Sequence, residues 1–147
     1  MARKAKKPKK TPIKKQKFGT SKLEQNFARN FLDKLGVKYI WQFEAKDICR
    51  FYDYYLPEHN LIIEIDGGWF HSDPRVVDVK HLNNMQKHNK RIDEMKDKWA
   101  LLRGIPVMRI WEKDINERPD LVMKKLKERL RIQSDKIRLD EEKKKRH

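Results

Sequence analysis

The stretch Leu61–Asp66, LIIEID, constrains the fold more than any other part of the chain. Its branched aliphatics, followed by the Gly67–Gly68 pair, read as a short buried β-strand. Glu64 and Asp66 nevertheless interrupt it. Side chains alternate along a strand, so these two acids share one face while Leu61, Ile63 and Ile65 share the other. A merely solvated face has little need of two acids in so apolar a strand.

The preceding segment adds a third acid. Cys49 to Leu56 is aromatic-rich and reads as a strand, and Pro57, Glu58, His59 and Asn60 suit a hairpin turn. If that turn sets Leu56 opposite Leu61, antiparallel pairing sets Asp53 opposite Glu64 on one face, with Cβ atoms about 5 Å apart. Asp53, Glu64 and Asp66 then converge. Taken singly, strand acids usually face solvent. Opposed like charges weaken a sheet, so the trio implies a protonated member, surrounding cations or a bound divalent ion. Oxygen donors at this density suit Mg²⁺ or Mn²⁺ better than zinc, and such an ion beside a phosphate polarises it and activates water.

The other elements follow from periodicity. Thr20 and Ser21 open a helix to about Leu35, with Leu23, Phe27 and Phe31 on its apolar face and Gly36 as its stop. Val37 to Glu44 reads as the first strand, and residues 67–85 as a loop. A second helix runs from about Gln86 to Arg103, with Ile92, Met95, Trp99 and Leu102 on one face, and Gly104 stops it. Ile105 to Trp111 is a fourth strand. From Pro119 a long charged helix carries Val122, Leu126 and Leu130, its turns past Ser134 expected to fray. The order predicts an α/β fold: a mixed central β-sheet flanked by helices, the fourth strand returning parallel through the second helix.

Charge divides the 147 residues into three segments. The net charge is +15, and residues 1–17 hold nine Lys/Arg and no acid. Residues 1–19 therefore read as a disordered basic arm, 20–118 as the core and 119–147 as a charged C-terminal helix. A chain this basic fits a polyanionic partner, most commonly nucleic acid. No apolar run approaches the ~20 residues that span a bilayer, and no apolar stretch follows the basic start as a signal peptide requires. Cys49 is the sole cysteine, which excludes an internal disulfide and fits a reducing compartment. It also disfavours structural zinc, despite His71, His81 and His88.

Further groups border the acids. Glu24 lies at the edge of the first helix's buried face and fits two roles: reaching the site, or closing a Ser21-x-x-Glu24 capping box. His71 follows the acid strand by five residues, and an imidazole accepts a proton from water near neutral pH. Asp93 and Lys96 lie one turn apart and suit an exposed ion pair, while Lys90, Arg91 and Lys96 are candidates to grip phosphate. Trp69 and Phe70 suit packing under the loop or wedging against bases.

FYDYYLPEHNLIIEIDGGWFHSDP, followed by NKRIDEMKDKWALLRGIPVMRIWEKDI, resembles the very-short-patch-repair (Vsr)-like endonucleases of the PD-(D/E)xK superfamily. The resemblance covers about residues 20–117 and includes small phage and bacterial relatives. It implies a restriction-endonuclease-like fold, Mg²⁺-dependent cleavage of DNA, and a bacterial or phage-infected cytoplasm near the nucleoid. By position it makes Asp53 the central metal-binding aspartate, Glu64 the first acid of the (D/E)xK element and Glu24 the acid of the first helix. It likewise matches His71 to the loop histidine, Asp93 to the later helix acid and Arg109 to the arginine of the fourth strand. Asp66 stands where the superfamily has lysine, which shifts weight for water activation to His71. The zinc-binding cysteines of the mismatch-repair members are absent, so the resemblance carries nuclease activity without the mismatch role. A nuclease-like fold that binds nucleic acid without cutting is the alternative.

The arm is open to a direct test. Deleting residues 1–19 is expected to weaken DNA binding for every sequence and to flatten its salt dependence, because fewer counterions are released. Affinity measured across a salt series checks this; an unchanged slope assigns the arm another task.

Overall fold

Gly36 ends the first helical segment in the left-handed conformation, φ 65°, with its N–H donating to the Asp33 carbonyl. The computed structural model describes residues 20–146, so the arm expected at 1–19 lies outside the described residues. The segment comprises α1 (Thr20–Phe27), a π-helical turn (Ala28–Leu32) and α2 (Asp33–Leu35). The strands are β1 (Ile40–Ala45), β2 (Arg50–Leu56), β3 (Leu61–Asp66) and β4 (Val107–Trp111). Helix α3 (Asn84–Leu102) joins β3 to β4, and α4 (Glu112–Glu117) and α5 (Pro119–Lys145) complete the chain.

The sheet is mixed, in the order β1-β2-β3-β4. Strands β1 and β2 run antiparallel, as do β2 and β3, while β4 lies parallel to β3. The α/β architecture and the parallel return through α3 are as expected from sequence. The hairpin register is also as expected, with Leu56 opposite Leu61 and Tyr54 opposite Ile63.

Two apolar layers sandwich the sheet. On one face Phe27, Phe31 and Leu32 of the first helical segment and Val122, Leu126 and Leu130 of α5 cover Tyr54, Leu61, Ile63 and Ile65. On the other, α3 lays Trp99 and Ala100 against Tyr52, Ile62 and Val107. Helix α5 is thus part of the core rather than an appendage, and it stays helical to Lys145 instead of fraying past Ser134. Gln133 anchors its middle by donating to the His59 and Asn60 carbonyls at the β2–β3 turn. Among the described residues no helix is long and apolar enough to cross a membrane.

Helix α3 departs from the apolar stripe expected of it. Met95 and Leu102 face solvent, Leu102 at 74% exposure. The inward face is instead Gln86, Asn89, Asp93, Lys96 and Ala100, buried or half-buried at alternating spacings of three and four. That face is mostly polar because it meets the acidic face of β3, where an apolar stripe would leave carboxylates without partners.

Leu126 is fully buried between α5 and the sheet. Leu126→Ala is expected to cost about 2–5 kcal/mol through lost burial and the cavity left behind. Urea unfolding measures it; a cost below about 0.5 kcal/mol, typical of surface positions, would remove α5 from the cooperative unit.

Candidate functional site

The β2–β3 ladder gives way at the rung where two acids meet. Beyond Tyr54↔Ile63, the Asp53 N–H donates to Glu64 Oε1 at 2.7 Å and the Ile65 N–H donates to Asp53 Oδ2 at 2.6 Å. Each carboxylate supplies the acceptor that a strand carbonyl would otherwise provide. Asp53 and Glu64 are therefore cross-strand neighbours, joined through a fork between the strands rather than by a continuous ladder. The irregularity extends to β1, where Gln42, φ 54°, is skipped between Trp41↔Tyr54 and Phe43↔Tyr52. Tyr54 packs toward Phe27 while Tyr52 packs toward Trp99 on the opposite face, so β2 turns over at Asp53.

Glu64 is compensated from α3. Its Oε2 lies 2.6 Å from Lys96 Nζ, with both side chains almost fully buried. The Lys96 ammonium also stands 4.7 Å above the Tyr52 ring, whose hydroxyl donates to the Lys96 carbonyl. Lys96, expected at the surface as a phosphate grip or as a partner of Asp93, is spent inside the protein on a carboxylate. Lys90 and Arg91 do remain exposed on α3.

Asp66 belongs to a second cluster at the carboxyl ends of the parallel strands β3 and β4, where open α/β sheets commonly bind ligands. The Arg109 Nη1 lies 3.1 Å from Asp66 Oδ2, 3.8 Å from Asp93 Oδ1 and 3.9 Å from Glu64 Oε2. Its Nη2 donates to Asp97 at 2.7 Å. His71 Nδ1 lies 2.5 Å from Asp93 Oδ2 and 3.8 Å from Asp66 Oδ1. An ionised carboxylate only accepts, so Nδ1 carries the hydrogen, and in the neutral ring Nε2 holds the lone pair.

Burial pushes the Asp66 carboxyl above its ordinary value, more strongly than the neighbouring His71 and Arg109 pull it down. Burial acts the same way on Asp93, but there the hydrogen bond and charge of His71, with Arg109 and Lys96, outweigh it and the pKa is lowered. The two adjacent carboxylates are thus pushed in opposite directions by their surroundings.

The loop after β3 is held by its backbone. At Gly68 a Cβ would come within 2.8 Å of Val76 Cγ2, so a side chain there would make Val76 shift. Gly67 and Gly68 carbonyls accept from the His71 and Asp73 N–H groups. Gln86 and Asn89 donate to the Trp69 and Phe70 carbonyls, tying the loop to α3, whose start is an Asn83–Gln86 capping box. Arg75 bridges the buried Asp73 to Asp114 of α4. Trp69 is exposed, and its ring meets the half-buried Phe70 edge-on at 5.1 Å.

Glu24 of α1 is also buried. Its Oε2 accepts from Trp41 Nε1 at 3.0 Å and Gln42 Nε2 at 2.8 Å, and its carbonyl accepts from the Tyr54 hydroxyl. The Ser21 side chain, the other half of the expected capping box, is not among those the structure describes. Of the proposed site residues, the structure brings Glu64, Asp66, His71, Asp93, Lys96 and Arg109 together, joins Asp53 to them through the fork, and holds the carboxylate of Glu24, on α1, against Trp41 and Gln42 of β1. Sequence reasoning missed the Asp73–Arg75–Asp114 bridge and the inward turn of Lys96. The alternating spacing from Gln86 to Ala100 is the signal that would have found the latter.

Among the described residues, Asp66, His71 and Asp93 each offer a ligand atom, all within 4.8 Å of one another. Two oxygens and an imidazole nitrogen fit Mn²⁺ more closely than Mg²⁺, whose usual donors are oxygens, and Arg109 competes with any cation there. Asp53 and Glu64 add oxygen donors alongside. The chain matches no family model, no curated protein and no solved structure.

The Lys96–Glu64 pair generates a stability prediction. Lys96→Met is expected to cost about 3–5 kcal/mol, because Glu64 is left charged and buried, and adding Glu64→Gln should recover much of that loss. Urea unfolding of the single and double variants measures the coupling; additive effects would show that the two side chains do not depend on each other.

Proposed function

We propose that the chain is a divalent-metal-dependent DNA endonuclease with a restriction-endonuclease-like fold, similar to the Vsr-like enzymes. The observation that carries this reading is the concentration of acids inside a strongly basic protein. Among the described residues Glu24, Asp53, Glu64, Asp66 and Asp73 are buried, against Lys96 as a buried cation, in a chain of net charge +15. A basic exterior draws a polyanion toward an acidic cleft whose affinity is for cations.

In this reading the metal oxygens come from Asp53, Glu64 and Asp66, with Asp93 beside them. A bound Mg²⁺ or Mn²⁺ would polarise the phosphate and lower the pKa of an attacking water. His71 receives the proton at Nε2, and Asp93 orients the ring through Nδ1 and stabilises the imidazolium that forms. Lys96 takes the charge-balancing place beside Glu64 that a lysine on β3 would fill, since Asp66 occupies that position. Arg109 neutralises Asp66 and Asp93, while Lys90 and Arg91 offer exposed cations to the phosphate backbone.

A second reading has its own support. Lys96 and Arg109 compensate the acids without a metal, which suits a nuclease-like fold that binds nucleic acid and leaves it intact.

Supercoiled plasmid incubated with the purified protein separates the two. The endonuclease reading expects relaxed or linear product with Mg²⁺ or Mn²⁺ and none with EDTA. Asp53→Asn keeps an acceptor for the Ile65 N–H, so folding should hold while cleavage falls by several orders of magnitude. DNA binding in EDTA should hold or strengthen as a negative charge is removed. Intact plasmid under every metal condition, with DNA binding retained, favours the binding module. Parental cleavage by the variant would sink the assignment of Asp53.

A further inference from the structure

A cleft between the first helical segment and β1 takes no part in the acid cluster. It encloses about 330 Å³. The π-helical turn that contains Ala28 and Arg29 lines it; such turns often mark functional positions. Its wall is aromatic: Tyr39, Trp41 and Tyr54. Tyr39 meets Tyr54 edge-on at 5.4 Å and 89°, and the Tyr54 hydroxyl is held by the Glu24 carbonyl. Trp41 is 43% exposed, yet its indole N–H is fixed on Glu24. The rings are therefore pre-ordered before any ligand arrives, which lowers the entropic cost of binding.

The rim supplies polar groups of three kinds. Gln25 offers an amide donor and acceptor, Arg29 a guanidinium donor, and Asp33 a carboxylate acceptor that also interacts with Tyr39. A purely apolar ligand would make no use of these exposed polar groups. A phosphate would face Asp33, and a quaternary cation would face Arg29. A flat, neutral ring with donors and acceptors on its edge satisfies both wall and rim, and that is the chemistry of a nucleobase.

We propose that this cleft seats one unpaired nucleobase of a DNA strand, stacked on Trp41 and hydrogen-bonded by Gln25, Arg29 and Asp33. The inference rests on the reading of DNA as the partner and narrows it to DNA that contains an unpaired base, since a paired base offers neither face nor pairing edge. Cleft and fork share a strand: Tyr54 lines the one and Asp53, its neighbour, forms the other.

The test uses the full chain in EDTA, so that it reads binding without cleavage. The probes are three oligonucleotides carrying 2-aminopurine: a single strand, a duplex with the probe as one bulged base, and a fully paired duplex. The single-strand and bulged arms distinguish a general single-strand site from one that needs flanking duplex. Expected is quenching of the probe in either or both unpaired forms, with binding about tenfold or more tighter than to the paired duplex, the factor one aromatic–base stack is worth. Trp41→Leu should abolish that preference and leave paired-duplex affinity unchanged, while Trp41→Phe, which also loses the bond to Glu24 but keeps a ring face, should retain most of it. Equal binding of all three probes, or Leu and Phe variants that behave alike, would overturn the proposal. The plasmid assay is independent: a protein that cuts without preferring unpaired bases loses this inference and keeps the nuclease reading, and one that prefers them without cutting does the reverse.

Discussion

Lys96 and Glu64 hold the middle of the molecule in a form that neither could maintain alone. Removing a carboxylate from water costs several kcal/mol unless its oxygens find donors. Glu64 divides its two oxygens between the Asp53 N–H and the Lys96 ammonium. The ammonium is in turn enclosed by the Tyr52 ring and the acid it serves. Through this one contact α3 is bound to β3 by charge as well as by its apolar residues, and its polar inward face becomes intelligible. The fork between β2 and β3 depends on the same contact, because the carboxylate that receives the Asp53 N–H is the one Lys96 neutralises.

That fork exchanges neutral strand bonds for hydrogen bonds to ionised oxygens, which are shorter and stronger. The exchange lets β2 turn over at Asp53 while its neighbours remain packed on both faces. It also leaves acid oxygens between two strands and beside the parallel pair, where Asp66 faces Arg109. Around them the loop is clamped by Gly67 and Gly68, by the Asn83–Gln86 cap and by the Arg75 bridge to Asp73 and Asp114. Ser72, next to His71, is held at φ 63°, a conformation most side chains avoid and one that surrounding contacts must enforce. His71 thus reaches Asp93 from a segment with little freedom to move.

The exterior has the opposite character. Exposed Lys90 and Arg91 on α3 and lysines and arginines interspersed with acids along α5 face solvent, while Glu24, Asp53, Glu64, Asp66 and Asp73 lie within. On the proposed reading, such a surface would draw polyanions and the buried acids would hold a cation. The proposed nuclease chemistry needs both, and the second reading, binding without cutting, needs the first alone.

Much of this arrangement was legible in the residues themselves. Alternation in LIIEID, the length of the turn before it and the spacing of apolar residues in α1 and α5 are local properties, and they determined the strands, the hairpin register and the helix faces. They also determined that Asp53 would meet Glu64, because antiparallel pairing carries one known contact along to the next. What lies beyond that reach was decided by packing. No local rule shows that the Asp53–Glu64 rung would open into a fork, since that depends on donors from a different strand position. Nor does local periodicity show which side of α3 turns inward: of the expected Ile92, Met95, Trp99 and Leu102, Trp99 does pack inward, but Met95 and Leu102 face solvent and the acids of β3 drew in Asp93 and Lys96. A buried charge chooses its partner across the whole fold, because the cost of leaving it unpaired exceeds what a few exposed apolar side chains lose.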